Sequence, residues 1–254
     1  MTLAVYKEVE IYALAFSFID AKSQVDRFEQ YIREHSPIPV HRVLDVCCGP
    51  AVELREFACR GYSGVGLDHS SEMLAYLKQK GKEENVVFDT VQADMRSFEL
   101  PQPVDFAYNM VGSIVYVADT PGLLVHLSCM AKALNQGGLY LIENLTIHWT
   151  NPNLWQPIRW TMEHKGISVQ TTYQLELVNA LEQTVYHKLS YLVNEHGQTR
   201  EIKSEALVKL FFPQEFKTIV ELQGYFDVVG FFERDSTRPI HDVKTDNIVL
   251  LRKK

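Results

Sequence analysis

The sequence predicts an α/β fold built on a doubly wound, mostly parallel sheet. Short apolar strands alternate with amphipathic helices from residue 42 to residue 145, and this alternation is typical of parallel sheets with helices on both faces. After residue 145 the sequence changes to long stretches of alternating apolar and polar residues, which predict an antiparallel β insertion after the fifth strand. Two strands near the carboxyl terminus bring the predicted main sheet to seven strands.

Charge and composition exclude several classes of partner. The chain has 254 residues and a formal net charge of −7, so it offers no broad attraction to nucleic-acid phosphates or anionic membranes. No apolar run approaches the ~18 residues of a membrane span, and acidic residues stand where a signal peptide has basic ones. We expect a cytoplasmic protein that binds neither nucleic acid nor membrane, with its four cysteines reduced and packed.

The N-terminal segment is predicted to be helical. Apolar residues recur at near-helical spacing from Tyr6 to His35, and Pro37 and Pro39 end the pattern. Such a helix either covers an edge of the sheet or acts as a lid, and composition does not distinguish the two.

The first strand–turn–helix unit carries the main functional signal. Val43–Val46 form a strand that holds Asp45 near its end, and residues 47–51 turn the chain into a helix. The next strand, Gly64–Leu67, is followed by Asp68, 23 residues after Asp45. In a βαβ unit this spacing places backbone amides at the first turn and a ribose-binding carboxylate at the end of the second strand. We therefore expect a nucleotide site at this edge of the sheet.

The remaining elements follow in order. Ser70 or Ser71 caps the next helix, which carries Glu72 in its first turn. The core then continues with strands at 86–91, 104–110 and 139–145 and a helix at 121–134. The insertion contributes antiparallel strands at 167–177, 183–193 and 199–211, and the chain ends with a helix at 213–222 and strands at 228–232 and 247–251.

Two common nucleotide-binding turns do not fit residues 47–52. A dinucleotide fingerprint needs three glycines, but only Gly49 is present, because Cys47 and Val52 occupy the other two positions. A phosphate-binding loop with Gly-Lys-Ser/Thr is also absent from this turn. No spacing of histidine and cysteine residues suggests a metal site.

The turn instead resembles the first motif of the class I S-adenosylmethionine-dependent methyltransferases, (E/D)-x-G-x-G-x-G. Residues 45–51 read Asp-Val-Cys-Cys-Gly-Pro-Ala, so Cys47 and Ala51 replace the two outer glycines. These replacements keep side chains small but reduce the freedom to adopt positive φ angles.

Three further motifs of that family are similar and arrive in the right order. Residues 64–74 resemble its second-strand motif, residues 93–95 its adenine-contacting turn, and residues 133–138 its hairpin before the fifth strand. The set covers roughly residues 40–145. It implies a Rossmann-like fold that uses S-adenosyl-L-methionine and releases S-adenosyl-L-homocysteine.

The resemblance also implies residue roles. Asp68 would accept the ribose hydroxyls, Asp45 would serve the cationic methionyl end, and Asp94 would accept from the adenine amino group. Met73 either packs on the adenine ring with Met95 or belongs to the core. Ile11-Tyr12 resembles a start at which the family's tyrosine folds over the cofactor. The predicted cofactor-binding residues are Tyr12, Asp45, Cys47, Gly49, Asp68, His69, Met73, Asp94, Met95 and Asn109.

The acceptor side most resembles the branch that includes aminosugar N-methyltransferases. Many of these carry Gly-His-Leu where this chain has Val115-Tyr116-Val117, so Tyr116 is expected to orient the acceptor. Glu143, which ends the fifth strand, is predicted either as a catalytic group or as a structural hydrogen-bonding group. His148 and the tryptophans 149, 155 and 160 either line the acceptor pocket or pack the insertion onto the sheet.

We therefore predict a methyltransferase that moves a methyl group to a nitrogen or oxygen of a small-molecule acceptor by in-line displacement. Residues 1–145 would form the lid and cofactor-binding core, residues 146–212 a wall of the acceptor pocket, and residues 213–254 the end of the core sheet. A methyltransferase for RNA or protein, and a non-catalytic cofactor-binding regulator of the same fold, stay open as alternatives. A nicotinamide oxidoreductase is disfavoured by the missing glycines.

Overall fold

The computed structural model describes residues 3–144, 152–240 and 247–254. His148 and Trp149, predicted either to line the acceptor pocket or to pack the insertion onto the sheet, lie outside this range. In chain order the strands are β1 (Arg42–Val46), β2 (Ser63–Asp68), β3 (Asp89–Gln92), β4 (Val104–Asn109), β5 (Leu134–Glu143), β6 (Ile158–His164), β7 (Ile167–Asn179), β8 (Thr184–Glu195), β9 (Gln198–Lys209), β10 (Phe226–Glu233) and β11 (Asn247–Lys253). The α-helices are α1 (Ala4–Lys7), α2 (Val9–Ala15), α3 (Ala21–His35), α4 (Val52–Cys59), α5 (Ser71–Glu84), α6 (Thr120–Ala133) and α7 (Pro213–Gln223).

The larger sheet has seven strands in the order β10-β11-β5-β4-β1-β2-β3. Strands β1 to β5 pair in parallel, whereas β11 is antiparallel to both of its neighbours, β5 and β10. The predicted α/β, Rossmann-like fold with a mostly parallel seven-stranded sheet is confirmed. The strand order reverses at β1, which lies between β2 and β4, and ligands of open α/β sheets bind at the carboxyl ends of the strands at such a point.

Helices cover both faces of this sheet, so its central strands are apolar on both sides. In β4, for example, Phe106, Ala107 and Tyr108 are all fully buried. One apolar cluster joins the sheet to α6 and α7, and a second joins it to α3, α4 and α5. None of the helices within the described residues is long and apolar enough to cross a membrane.

The N-terminal segment forms three helices where the sequence suggested one. The chain leaves the helical conformation after α2, and Asp20 begins α3 by accepting a hydrogen bond from the Ser23 amide at 3.2 Å. Only α3 packs on the main sheet. Helices α1 and α2 pack instead on the smaller sheet, in an apolar cluster that includes Val5, Ile11, Ala15, Val169, Leu189, Tyr191 and Val193.

The smaller sheet is the predicted antiparallel insertion, but it has four strands, β6-β7-β8-β9, where three were expected. The additional strand is β6, whose Trp160 indole N–H donates to the Ala15 carbonyl at 2.7 Å. This hydrogen bond attaches the end of α2 to the insertion. In the sequence, the short alternation of apolar and polar residues in β6 could not be distinguished from a loop whose tryptophans pack on the sheet.

Close packing of β2 against α4 and α5 makes Gly66 sensitive to substitution. A Cβ atom at Gly66 would lie 2.8 Å from the Leu77 side chain and 3.1 Å from Cys48 Sγ. We expect Gly66→Ala to lower the free energy of unfolding by about 1–3 kcal/mol, as other overpacked cores do. Urea denaturation measures this loss. A Gly66→Ala/Leu77→Ala double variant should recover part of it, and strictly additive losses would contradict the proposed contact.

Candidate functional site

Three cavities lie side by side at the carboxyl edge of the main sheet. We call them the strand-end cavity, of about 310 Å³ around Asp68, the turn cavity, of about 290 Å³ around Asp45, and the inter-sheet cavity, of about 430 Å³ between the two sheets. Tyr12 and Ser113 line all three. The helix α2 brings Tyr12 to this point, and a short 3₁₀ helix after β4, Ser113–Val117, brings Ser113.

The turn between β1 and α4 keeps the backbone conformation that glycine favours, although two of its residues carry side chains. The φ angles of Cys47, Gly49 and Ala51 are 59°, 50° and 51°, all in the left-handed region, which costs a non-glycine residue roughly 1–2 kcal/mol. The Cys48 amide donates to the Leu67 carbonyl at 2.9 Å, and the Ala51 amide donates to the Cys48 carbonyl at 2.8 Å. These bonds hold the turn open beside the turn cavity.

Asp68 joins the turn to the end of β2. Its Oδ2 accepts from the Gly49 amide and its Oδ1 from the Ser70 amide, both at 2.8 Å. Burial raises the pKa of Asp68, and the amides of Ser70 and Gly49 oppose that increase. Each carboxylate oxygen keeps a further lone pair, so Asp68 can accept two more hydrogen bonds in the strand-end cavity.

The other residues predicted around a ribose and adenine lie on the same cavity. Met73 and Met95 are buried in its wall, and His69 is exposed at its rim. Asp94 also lines it, but its carboxylate binds Arg96, which donates from Nε to Oδ1 at 3.0 Å and from Nη2 to Oδ2 at 2.8 Å. The Arg96 guanidinium lowers the pKa of Asp94 to about 2. Arg96 was not among the predicted site residues. Its two hydrogen bonds use lone pairs of Asp94 that were expected to accept from the adenine amino group.

The turn cavity contains two buried carboxyl groups, Asp45 and Glu53. They are 3% and 6% exposed, and no ion pair joins either of them to a cation within residues 3–144, 152–240 and 247–254. Burial, together with the nearby Glu53, raises the pKa of Asp45. Burial also raises the pKa of Glu53 to about 7, with a further contribution from Glu143. A cationic ligand would offset the cost of burying these charges.

Glu53 was missed by the sequence reasoning. It lies in the first turn of α4, where acidic residues are common because they interact favourably with the helix dipole. An acidic residue at a helix start therefore does not by itself indicate a site. The structure nevertheless places Glu53 in the turn cavity beside Asp45.

Two predicted site residues do not line any of the three cavities. Asn109 is fully buried and donates from Nδ2 to the Val46 carbonyl at 2.8 Å. Glu143 is fully buried, accepts from the Val111 amide at 2.5 Å and forms an ion pair with Arg234. This geometry favours the structural alternative for Glu143, and its catalytic role stays a prediction without support from its position.

The Glu143 contact holds a strained segment. Val111 has a φ angle of 54° and Gly112 one of 66°, and a β-branched residue in the left-handed region is a genuine outlier. Val111 lines both the turn cavity and the inter-sheet cavity. Buried Glu143 therefore fixes the backbone at the boundary between two cavities without reaching into them.

The inter-sheet cavity contains a chain of hydrogen-bonded side chains. Tyr116 Oη lies 2.9 Å from Tyr6 Oη and 3.0 Å from His187 Nδ1. His187 comes from β8 of the insertion, so the insertion supplies a histidine beside the tyrosine that stands in the Gly-His-Leu position. No spacing in the sequence indicated this, because residues 116 and 187 meet only through packing of the two sheets.

Aromatic and aliphatic side chains form most of the described wall of this cavity. Trp160 lines it, as the acceptor-pocket alternative expected, whereas Trp155 packs against the core of the main sheet. The Phe16 ring lies between Tyr12 and Trp160, with ring centroids 4.6 Å and 5.6 Å apart. The N-terminal segment that contains α2 and the insertion thus share one aromatic wall.

The chain is similar to known methyltransferases in sequence and in fold. The methyltransferase domain family matches residues 43–138, which contain the turn, Asp68 and Asp94. A dTDP-3-amino-3,4,6-trideoxy-α-D-glucopyranose N,N-dimethyltransferase of Streptomyces venezuelae is 21% identical over 206 residues, which are 81% of this chain and 83% of that protein.

Solved structures of methyltransferases share the fold over nearly the whole chain. An S-adenosylmethionine-dependent methyltransferase from Clostridium acetobutylicum superposes with a TM-score of 0.81, at 14% identity, over 98% of both chains. An amino pentose methyltransferase from Micromonospora echinaspora, solved with S-adenosylmethionine bound, has a TM-score of 0.73 and 17% identity over 100% of this chain and 98% of its own. Residues 43–138 thus match a methyltransferase domain, and the chain shares its fold with S-adenosylmethionine-dependent methyltransferases.

Proposed function

We propose that this protein transfers a methyl group from S-adenosylmethionine to a nitrogen atom of a small molecule bound in the inter-sheet cavity. The observation that carries the proposal is the shared wall of the three cavities. Tyr12 and Ser113 line all of them, so a donor on one side and an acceptor on the other would be separated by the thickness of these side chains. Holding the two reactants together supplies most of the acceleration in an in-line displacement.

The residues of the strand-end and turn cavities suit the cofactor. Asp68 has the free lone pairs to accept two ribose hydroxyls, and Met73 and Met95 offer apolar surfaces for a purine ring. Asp45 and Glu53 are buried anions that would hold the cationic methionyl end. When bound, S-adenosylmethionine supplies an electrophilic methyl group on a positively charged sulfur.

The described wall of the inter-sheet cavity favours nitrogen over oxygen as the acceptor atom. A hydroxyl must lose its proton to become a strong nucleophile and therefore needs a base, whereas an uncharged amine does not. Tyr116 is a poor base at neutral pH because burial raises its pKa to about 12, and His187 is a weak one because burial lowers its pKa to about 4. The Glu143 carboxylate is bound by Val111 and Arg234. The N,N-dimethyltransferase relative acts on an amino group by its name, which supports the same choice.

We also propose that the chain is divided functionally as its sequence suggests. Residues 1–145 would bind the cofactor, 146–212 would form the acceptor wall, and 213–254 would complete the main sheet. Because α1 and α2 pack on the insertion, we propose that the lid and the acceptor wall act as one unit.

Methyl transfer to amines can be tested directly. The protein would be incubated with cofactor carrying a labelled methyl group and with a panel of alkylamines, benzylamines, anilines, phenols and carboxylates. We expect label in amine products and none in phenols or carboxylates. Labelling of phenols alone would contradict the choice of nitrogen, and no labelling of any class would contradict a small-molecule acceptor of these kinds.

Asp68 should dominate the affinity for the cofactor product. We expect Asp68→Ala to weaken binding of S-adenosylhomocysteine by about 100-fold, the cost of removing a charged acceptor of two hydrogen bonds. Isothermal titration calorimetry measures the change. Glu99→Ala removes an exposed acid elsewhere on the chain and should leave the affinity unaltered. Equal affinities of wild type and Asp68→Ala would exclude Asp68 from the cofactor site.

Glu53 should have opposite effects on stability and on cofactor binding. Its pKa is about 7 in the folded protein and 4.5 in the reference state, so the folded state binds the extra proton between these values. The free energy of unfolding therefore falls as pH rises through that window. The destabilisation that comes from ionising the buried Glu53 carboxyl is fully present above pH 7. We expect Glu53→Gln to stabilise the ligand-free protein by about 2–3 kcal/mol at pH 8 and to weaken S-adenosylhomocysteine binding.

Urea denaturation at pH 8 and at pH 5 measures the first effect, which should shrink to less than about 1 kcal/mol at the lower pH. Glu56→Gln is a matched control on the same helix, because Glu56 forms a partly exposed ion pair with Arg60. That variant should be slightly destabilised or unchanged, since such pairs contribute little. A destabilised Glu53→Gln variant at pH 8 would contradict the buried-charge interpretation.

A further inference from the structure

His187 lines the inter-sheet cavity. Its Nδ1 is 3.0 Å from Tyr116 Oη, and its other ring nitrogen makes no hydrogen bond within the described residues. The ring is half-buried in the cavity wall, where the Tyr173 ring meets it edge-to-face at a centroid distance of 5.0 Å. Packing on one side and a hydrogen bond on the other thus fix its orientation.

Tyr6 and Tyr116 join this histidine to the cofactor side. Both tyrosines line the inter-sheet cavity and the strand-end cavity. If Nδ1 carries the proton of a neutral imidazole, it donates to Tyr116, and Tyr116 donates to Tyr6. In that tautomer Nε2 is the hydrogen-bond acceptor of the ring.

Charge is distributed unequally between the cavities. The turn and strand-end cavities contain the carboxylates of Asp45, Glu53, Asp68 and Asp94. In contrast, the described wall of the inter-sheet cavity contains no carboxylate, and its one arginine, Arg234, pairs with Glu143. An ammonium group that entered this wall would lose water without gaining an anion, which is costly.

We propose that the inter-sheet cavity binds its acceptor as an uncharged amine and that His187 Nε2 accepts one of the amine N–H bonds. This inference rests on the proposed transfer to nitrogen and names the form and the contact of the acceptor. An N–H held by His187 leaves the nitrogen lone pair free for attack. Tyr116 is then a positioning residue, because it acts by fixing the tautomer of His187.

Neither His187 nor Tyr116 titrates near neutral pH. Burial lowers the pKa of His187 to about 4 and raises that of Tyr116 to about 12. The titratable and charged groups that face His187 or lie next to it are Tyr116 and Tyr6 from the N-terminal half, Tyr173 of β7, Lys188 of β8 and Arg234 across the cavity. Lys188 pairs with Glu176 and Glu205. The pH dependence of binding should therefore be that of the amine itself.

Aromatic rings can also attract a cation, which is the competing possibility for this wall. Tyr6, Phe16, Trp160 and Tyr173 all line the cavity, and cages of such rings bind quaternary ammonium ions. The two possibilities predict opposite preferences for the charge of the ligand. An aromatic cage prefers the charged amine and a permanent cation, whereas His187 prefers the uncharged amine.

Benzylamine, benzyltrimethylammonium and benzyl alcohol separate these possibilities, because they share one apolar body. Binding to the full-length protein in the presence of S-adenosylhomocysteine would be measured by calorimetry from pH 6 to pH 8. Below the pKa of the amine, we expect benzylamine affinity to rise about tenfold per pH unit and benzyltrimethylammonium not to bind. Affinity that does not change with pH, tighter binding of benzyltrimethylammonium, or no benzylamine binding at any pH would overturn the proposal.

Variants and nitrogen NMR then test the contact itself. His187→Gln should weaken benzylamine about tenfold, the value of one hydrogen bond, while binding of S-adenosylhomocysteine stays unchanged. In protein labelled with ¹⁵N-histidine, benzylamine should shift the Nε2 resonance that His187→Gln lacks, and Tyr116→Phe should alter the tautomer pattern of that ring.

A matched control comes from a second histidine–tyrosine pair. His126 Nε2 lies 2.8 Å from Tyr140 Oη in the core, away from the cavities. Tyr140→Phe removes the same kind of hydroxyl and should leave benzylamine affinity unchanged. Tyr116→Phe, in contrast, should weaken benzylamine binding. Equal losses of benzylamine affinity in Tyr116→Phe and Tyr140→Phe would show a general structural effect and overturn the role of Tyr116. If benzylamine binds as expected but accepts no labelled methyl group, the proposed function fails while the binding preference of the cavity stands.

Discussion

The hydrogen bond from the Gly49 amide to the Asp68 carboxylate is the contact on which the site depends. It joins the turn after β1 to the end of β2, and so fixes the distance between the turn cavity and the strand-end cavity. The same turn holds Cys47 and Ala51 in a backbone conformation that glycine would adopt without strain. A charged acceptor at Asp68 stabilises this arrangement, since hydrogen bonds to ionised groups are the stronger ones.

The separation of charge gives the two sides of the site different chemistry. Buried carboxylates on the cofactor side are destabilising until a cation neutralises them, so part of the binding energy of a cationic ligand comes from relief of their repulsion. The described acceptor wall is uncharged apart from the Arg234–Glu143 pair. A positively charged donor and an uncharged acceptor would each find the more favourable side.

The fold was predictable from the sequence because the alternation of strands and helices determines a parallel sheet and its order of motifs. Asp45, Gly49 and Asp68 were predictable for a related reason, since they follow strands at fixed spacings. Glu53 and His187 were not. Glu53 resembles an ordinary acid at a helix start, and His187 meets Tyr116 only because two sheets pack together. Glu143 was found at the predicted strand end, but local spacing could not reveal that its carboxylate would turn towards Val111 and Arg234.

Tyr12 lines all three cavities, and the helix that carries it packs on the insertion through Ile11 and Ala15. One displacement of that helix would therefore uncover the donor and the acceptor together. On the proposed function, exchange of the spent cofactor and departure of the methylated product would then share a single opening event. The residence time of either molecule would depend on the other, because each one packs against the same tyrosine.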